Sequence, residues 1–140
     1  MRKILWFAIL MSCFIWSKGN AQNRIEVIVL GVRDTTGLIR VGLFSDKASF
    51  LKKPKAGRIV KAVTGRIVVV FENVPSGSYA VSIIHDSNKN GILDSNFFGI
   101  PQEGFGFSNN VMGSFGPPSF DKAKFILSFP LTITLKIRYL

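Results

Sequence analysis

Between His85 and Asn110 the chain reads HDSNKNGILDSNFFGIPQEGFGFSNN, and the first half of this stretch spaces oxygen-bearing side chains as a bound cation would need them. Asp86, Asn88, Asn90 and Asp94 fall at positions one, three, five and nine of a calcium-type loop, with Gly91 at six for the tight turn and the carbonyl of Ile92 at seven. Position twelve is Phe97, which has no carboxylate to close the coordination sphere. Asn96 stands one residue short, and Glu103 reaches the site only if the loop folds back. With two formal charges facing the ion, the expected calcium affinity lies in the weak extracellular range of about 0.1 to 1 mM. The same residues also suit a second role, in which Asp and Asn side chains bond to their own backbone in successive Asx-turns around a left-handed Gly91.

His85 is the one histidine of the chain. Next to Asp86 and within loop reach of Glu103, it could serve as a metal ligand or general base, which would make the protein a metal-dependent enzyme. A lone histidine with no cysteine beyond Cys13 argues against zinc, and the plainer expectation is a histidine that caps the domain and bonds a loop carbonyl. Asp86, Asp94 and Glu103 define no glycosidase-like pair by spacing alone. Ser108 and Ser119 lack a nucleophile-elbow setting, and no glycine-rich phosphate loop precedes a helix. In the second half of the loop, Phe97, Phe98, Phe105 and Phe107 alternate with glycines and lead to Asn109 and Asn110. That mixture suits a binding platform for a glycan or peptide, or a long connection that anchors itself by burying its own rings; the second is the expected role.

The elements that must hold this loop read as strands. Arg24–Val32, Leu38–Phe44, Gly65–Glu72 and Ser78–His85 are rich in β-branched residues and separated by turn residues, and Arg58–Val63 reads as a short edge strand. Ser45–Lys53 suits one helical turn capped by Ser45, and Asn73–Gly77 a turn using Pro75 and a positive-φ Gly77. Asn109–Phe120 should be irregular, followed by strands over Lys122–Phe129 and Leu131–Tyr139, the latter with the cleanest two-residue period. About seven short strands predict a single all-β domain, an antiparallel β-sandwich of immunoglobulin-like or transthyretin-like type with one long functional loop.

The segment FENVPSGSYAVSI resembles the F-x-N-x-P-x-G-x-Y hairpin of transthyretin-like and carboxypeptidase-regulatory-type modules. Carried on through HDSNKNGILDSNFFGIPQEGFGFSNN and FGPPSFDKAKFILS, the chain from about Ile25 to Tyr139 is similar to a family of bacterial secreted proteins known as domain of unknown function 2141. The resemblance implies a small exported β-sandwich and brings no activity with it.

The N-terminus predicts that export. Arg2 and Lys3 precede an apolar run from Ile4 to Trp16, and Gly19 and Ala21 supply small residues for cleavage, so residues 1–21 read as a signal peptide and 22–140 as the mature domain. A lipoprotein cut before Cys13 is the weaker alternative, because Phe14, Ile15 and Trp16 continue the apolar run. The run is too short for a membrane-spanning helix.

The formal charge is +10; without Arg2, Lys3 and Lys18 it is +7, concentrated in Lys52, Lys53, Lys55, Arg58 and Lys61. This cluster could meet acidic glycans or membrane headgroups, or simply solvate a loop, and it carries no interleaved aromatic residues for nucleic acid. The sequence therefore predicts a periplasmic or extracellular, non-catalytic binding or structural module. Its partner would be an unidentified protein, glycan or small molecule of the cell envelope. The alternatives are the metal-dependent enzyme and a carrier whose sandwich opens around an apolar ligand.

Overall fold

A computed structural model describes residues 22–140; the expected signal peptide and Cys13 lie outside the described residues. Eight strands form two sheets: β1 (Gln22–Val32), β2 (Leu38–Phe44), β3 (Ala56–Lys61), β4 (Gly65–Pro75), β5 (Gly77–Asp86), β6 (Gly104–Phe107), β7 (Phe125–Leu127) and β8 (Leu131–Lys136). The first sheet has the order β4-β1-β8, and the second runs β3-β2-β5-β6, with β7 added to the start of β5. The two-residue period decides which side chains meet between the sheets. Ile25, Val27 and Val29 of β1 and Ile67, Val69 and Phe71 of β4 face Ile39, Val41 and Leu43 of β2 and Tyr79, Val81 and Ile83 of β5, all buried in one core. Each such residue contributes about 1.5–3 kcal/mol when fully buried.

The sandwich and the positions of its long strands agree with expectation, and the departures have local causes. The pairing of β1 with β8 is parallel, from Ile25 opposite Leu131 to Leu30 opposite Lys136, so the first sheet is mixed rather than antiparallel. Between β4 and β5 the positive φ belongs to Asn73, at 56°, not to Gly77. Register there slips between Asn23 and Ile25, so Asn73 forms a bulge and β4 continues to Pro75. The turn after β2 is capped by Asp46, whose carboxylate accepts from the Ser49 N–H at 2.8 Å and the Ser49 hydroxyl at 2.8 Å, rather than by Ser45. Phe120–Ala123 forms a one-turn helix, α1, which shortens the strand expected over Lys122–Phe129 to Phe125–Leu127. The outward alternation of the last strand runs on to Tyr139, but pairing with β1 stops at Lys136.

A second, smaller apolar cluster covers the far face of the second sheet. Phe44 and Ala80 of that face pack with Phe50, Phe105, Phe107, Phe120 and Ala123. Its rings meet edge to face, as between Phe44 and Phe50 with centroids 5.3 Å apart. Among the described residues no helix is long and apolar enough to cross a membrane.

Candidate functional site

Alternation at the end of β5 separates the two residues that would begin an active site. His85 shares the inner face with Ile83, while Asp86 points to the outer face with Ile84. The His85 ring is fully buried, with Nε2 2.7 Å from the Thr36 carbonyl and Nδ1 2.7 Å from the Tyr139 hydroxyl. A carbonyl only accepts, so Nε2 carries the hydrogen and Nδ1 receives the Tyr139 O–H, while the Tyr139 oxygen in turn accepts from the Arg33 N–H at 3.0 Å. Burial, foremost, keeps the Tyr139 hydroxyl above the ordinary phenol range, which preserves it as a donor. Both histidine nitrogens are thus committed to closing the end of the sandwich.

The Asp86 side chain is fully buried on the other face. Its Oδ2 accepts from Arg40 Nε at 2.5 Å and from the Gly91 N–H at 2.9 Å, and its Oδ1 from the Asn90 N–H at 3.0 Å. Burial by itself would raise this carboxyl, but the hydrogen bonds from Arg40, Gly91 and Asn90 together outweigh it and hold the group below its ordinary 3.8. Glu103 does fold back across the loop, and spends both oxygens on backbone: Oε1 accepts from Ser87 N–H at 2.8 Å and Oε2 from Asp94 N–H at 3.2 Å. Asp86 and Glu103 therefore both pin the backbone of the 87–94 loop, while His85 bonds Thr36 and Tyr139 at the end of the core.

The remaining loop residues form the turns foreseen for them. Asn88 Oδ1 accepts from the Asn90 N–H at 3.1 Å and Asn90 Oδ1 from the Ile92 N–H at 3.1 Å, two successive Asx-turns, and Gly91 has φ +88°. A left-handed residue is needed there, and glycine adopts it without strain. The amide groups of Asn88 and Asn90 also converge on the Asp94 carboxylate, at 2.6 Å and 2.8–2.9 Å. Asn88 and Asn90 thus turn their Nδ2 donors toward Asp94 and their Oδ1 atoms toward backbone N–H groups, while Asp86 is paired with Arg40. Among the described residues no group of three His, Cys, Asp or Glu side chains could hold a metal.

Asn109 and Asn110, expected as contacts for a ligand, are tied to the fold. Asn109 Nδ2 donates to the carbonyls of Lys122 and Lys124 at 3.1 and 2.9 Å. Asn110 Nδ2 donates to the Thr134 carbonyl at 3.0 Å and its Oδ1 accepts from the Lys136 N–H at 2.8 Å, so one amide acts as a strand residue against β8. Ser108, fully buried, accepts from the Val81 N–H at 2.9 Å and donates to the Ala123 carbonyl at 2.5 Å, joining β5 to α1.

The open feature of the molecule is a cleft of about 1150 Å³ on the outer face of the second sheet. In the ladders of that sheet Gly57 lies opposite Gly42 and Gly42 opposite Ser82, a row of small residues crossing three strands. Beside it runs the row Ile59, Arg40, Ile84 and Phe105. Side chains that would fill the floor are missing from the first row, so the loops standing around it enclose space. One wall comes from the Asx-turn loop through Ile92, Phe98 and Ile100, another from Phe115, and the rim nearest β3 from Leu51, Lys52 and Pro54. Phe98 is 81% exposed and Phe115 fully exposed, whereas Phe105 and Phe107 are buried, so the aromatic half of the loop divides between anchoring and display. The charged side chains of the cleft are Arg40 and Lys52, whereas Arg58, at its edge, holds its guanidinium over the core ring of Phe71, 5.1 Å from the centroid; among the described residues no acid joins them.

Sequence reasoning missed Arg40, Gly42, Gly57, Ser82 and Phe115. Arg40 left a signal, since it is the one charge inside LIRVGLF, but its partner Asp86 is 46 residues away. The glycine row is visible only once the register is known. No curated protein and no solved structure matches the chain. A family model described as an uncharacterized protein conserved in bacteria, DUF2141, matches residues 27–133.

Proposed function

The chain belongs to the DUF2141 family, whose description carries no activity, and on the geometry alone we propose that it is an exported, non-catalytic binding module that holds an apolar ligand in the cleft on the outer face of the second sheet. The observation that carries this is the exposure of Phe98 and Phe115 around a large concave surface. Large aromatic side chains cost free energy in water, and a ligand that covers them and displaces water from the cleft recovers it. Export is supported by the basic start, the apolar run and the small residues before Gln22.

Gly57 provides the test. A Cβ built there meets only the Val41 carbonyl oxygen, at 3.9 Å, so a larger side chain projects into the cleft without displacing the fold. Nile red, a neutral apolar fluorophore, is expected to brighten and shift to the blue on binding the wild-type protein. That response should disappear in Gly57→Trp at unchanged melting temperature. Absence of binding, or equal binding by Gly57→Trp, would remove the proposal.

A second reading, a weak calcium site that stiffens the cleft wall, is supported by the spacing of Asn88, Asn90, Ile92 and Asp94 around Gly91, and requires the two asparagine amides to turn their oxygens, in place of their Nδ2 groups, toward Asp94. Calcium there would be structural, held by side-chain and main-chain oxygens.

A further inference from the structure

We infer that the occupant of the cleft is a single-chain amphiphile with a carboxylate head, a long-chain fatty-acid anion rather than a peptide or a membrane surface. This rests on the cleft being a binding site and adds which ligand chemistry it takes.

The floor argues against a peptide. β2 is hydrogen-bonded on one side to β3 and on the other to β5, and β5 to β2 and β6, so the backbone under the cleft has its partners already. An extended peptide laid across it would lose water from its own amides and find no ladder to join, leaving those groups unpaired. A hydrocarbon chain carries no such groups. The trough beside Gly57 lies between the flanking positions Arg40 and Phe44, about 13 Å apart along β2 at roughly 3.3 Å per residue, and the Phe44 ring, 3.0 Å from where a Cβ of Gly42 would stand, narrows it. That width suits one chain rather than the paired chains of a bilayer lipid.

The charges argue for an acidic head. Two cationic side chains, Arg40 and Lys52, line the cleft and, among the described residues, no acid does. Arg40 uses Nε for Asp86 and, among the described residues, neither of its terminal nitrogens is hydrogen-bonded; a Cβ on Gly91 would come within 3.6 Å of Nη2. A guanidinium held at Nε and open at its two Nη atoms matches the two oxygens of a carboxylate. Lys52, exposed on the rim, adds a charge that a neutral pair of Arg40 and Asp86 lacks.

The test compares ligands of one chain length on the full protein, by displacement of Nile red: hexadecanoate, hexadecanol and hexadecylammonium, each below its aggregation limit. Hexadecanoate should bind at least about tenfold tighter than hexadecanol, as expected of a hydrogen-bonded charge pair, and hexadecylammonium more weakly than either. Arg40→Gln should bring hexadecanoate to the level of hexadecanol, and Lys52→Gln, which leaves the Asp86 contact intact, should weaken hexadecanoate alone. Equal binding of all three, with Nile red still bound by wild type and not by Gly57→Trp, overturns the head-group inference and leaves the cleft reading standing. Loss of Nile red binding from wild type overturns both. Flotation with phosphatidylglycerol vesicles but no binding of monomeric hexadecanoate would show a membrane-surface partner and overturn the inference as well.

Discussion

His85 and Asp86 are consecutive residues that serve opposite faces of one sheet: the imidazole bridges Thr36 and Tyr139 inside the sandwich, while the carboxylate bridges Arg40 and the Gly91 N–H outside it. What looks in one dimension like an acid–base pair is therefore two separate fastenings, one for the barrel-like end of the core and one for the cleft wall. Their substitution should have different consequences.

His85→Leu fills the same interior with a side chain that neither donates nor accepts, and removes the partner of both the Thr36 carbonyl and the Tyr139 hydroxyl. It should lower unfolding stability by about 1–3 kcal/mol. Urea denaturation measures this, and Nile red binding by the folded fraction should be unchanged. A variant as stable as wild type would show that the His85 bridges carry no net stabilisation.

Asp86 makes stability depend on acid. Its carboxyl is depressed when folded, so the stabilisation it provides is complete above the unfolded value of about 3.9 and is lost as pH falls through the lower folded value. Wild type should therefore lose stability as pH falls below about 4 more steeply than Asp86→Asn, which begins less stable at neutral pH because Arg40 loses its partner. Parallel pH profiles for the two proteins would contradict the assignment.

Calcium at 5 mM should raise the melting temperature by a few degrees over EDTA, since an affinity near 0.5 mM gives about 1.4 kcal/mol by mass action. Asp94→Ala should abolish the shift. Identical melts of wild type in the two buffers would leave Asn88 and Asn90 as turn formers only.

Ser108→Ala should cost about 1–3 kcal/mol, because it leaves the buried Val81 N–H without its acceptor. By contrast Phe98→Ser and Phe115→Ser, both at exposed rings, should change stability by no more than about 0.5 kcal/mol while weakening Nile red binding severalfold. Differential scanning calorimetry beside the binding assay separates the two classes of effect.

The period-two strands were legible because burial of one face writes itself into every second residue; Leu38–Phe44 agrees to the residue and Gly65–Glu72 to its core face. β6 was not. GFGF has glycine at alternate positions because Tyr139 and the Lys136 carbonyl press on Gly104 and Gly106, within 2.4 and 2.8 Å of where a Cβ would stand. A strand whose neighbours supply the bulk shows no alternation of its own. The Asx-turn chemistry of Asn88 and Asn90 was readable from spacing, whereas the fastening of Asp86 to Arg40 and of Asn110 to β8 was not, since strand pairing across dozens of residues leaves no local mark. The cleft was hidden for the same reason: its floor is defined by register, and its mouth by loops whose apolar residues look like anchors until their exposure is known.

The parallel seam between β1 and β8 joins the first strand made to the last. A chain synthesised from its N-terminus can pair β1 with β4 early, yet it must carry the other edge of β1 bare until β8 exists, a span in which that edge is a template for any passing strand. Val27 and Val29 sit on it, flanked by Arg24, Glu26 and Gly31. The architecture thus favours closing in one step, once the last strand is there to cover that edge.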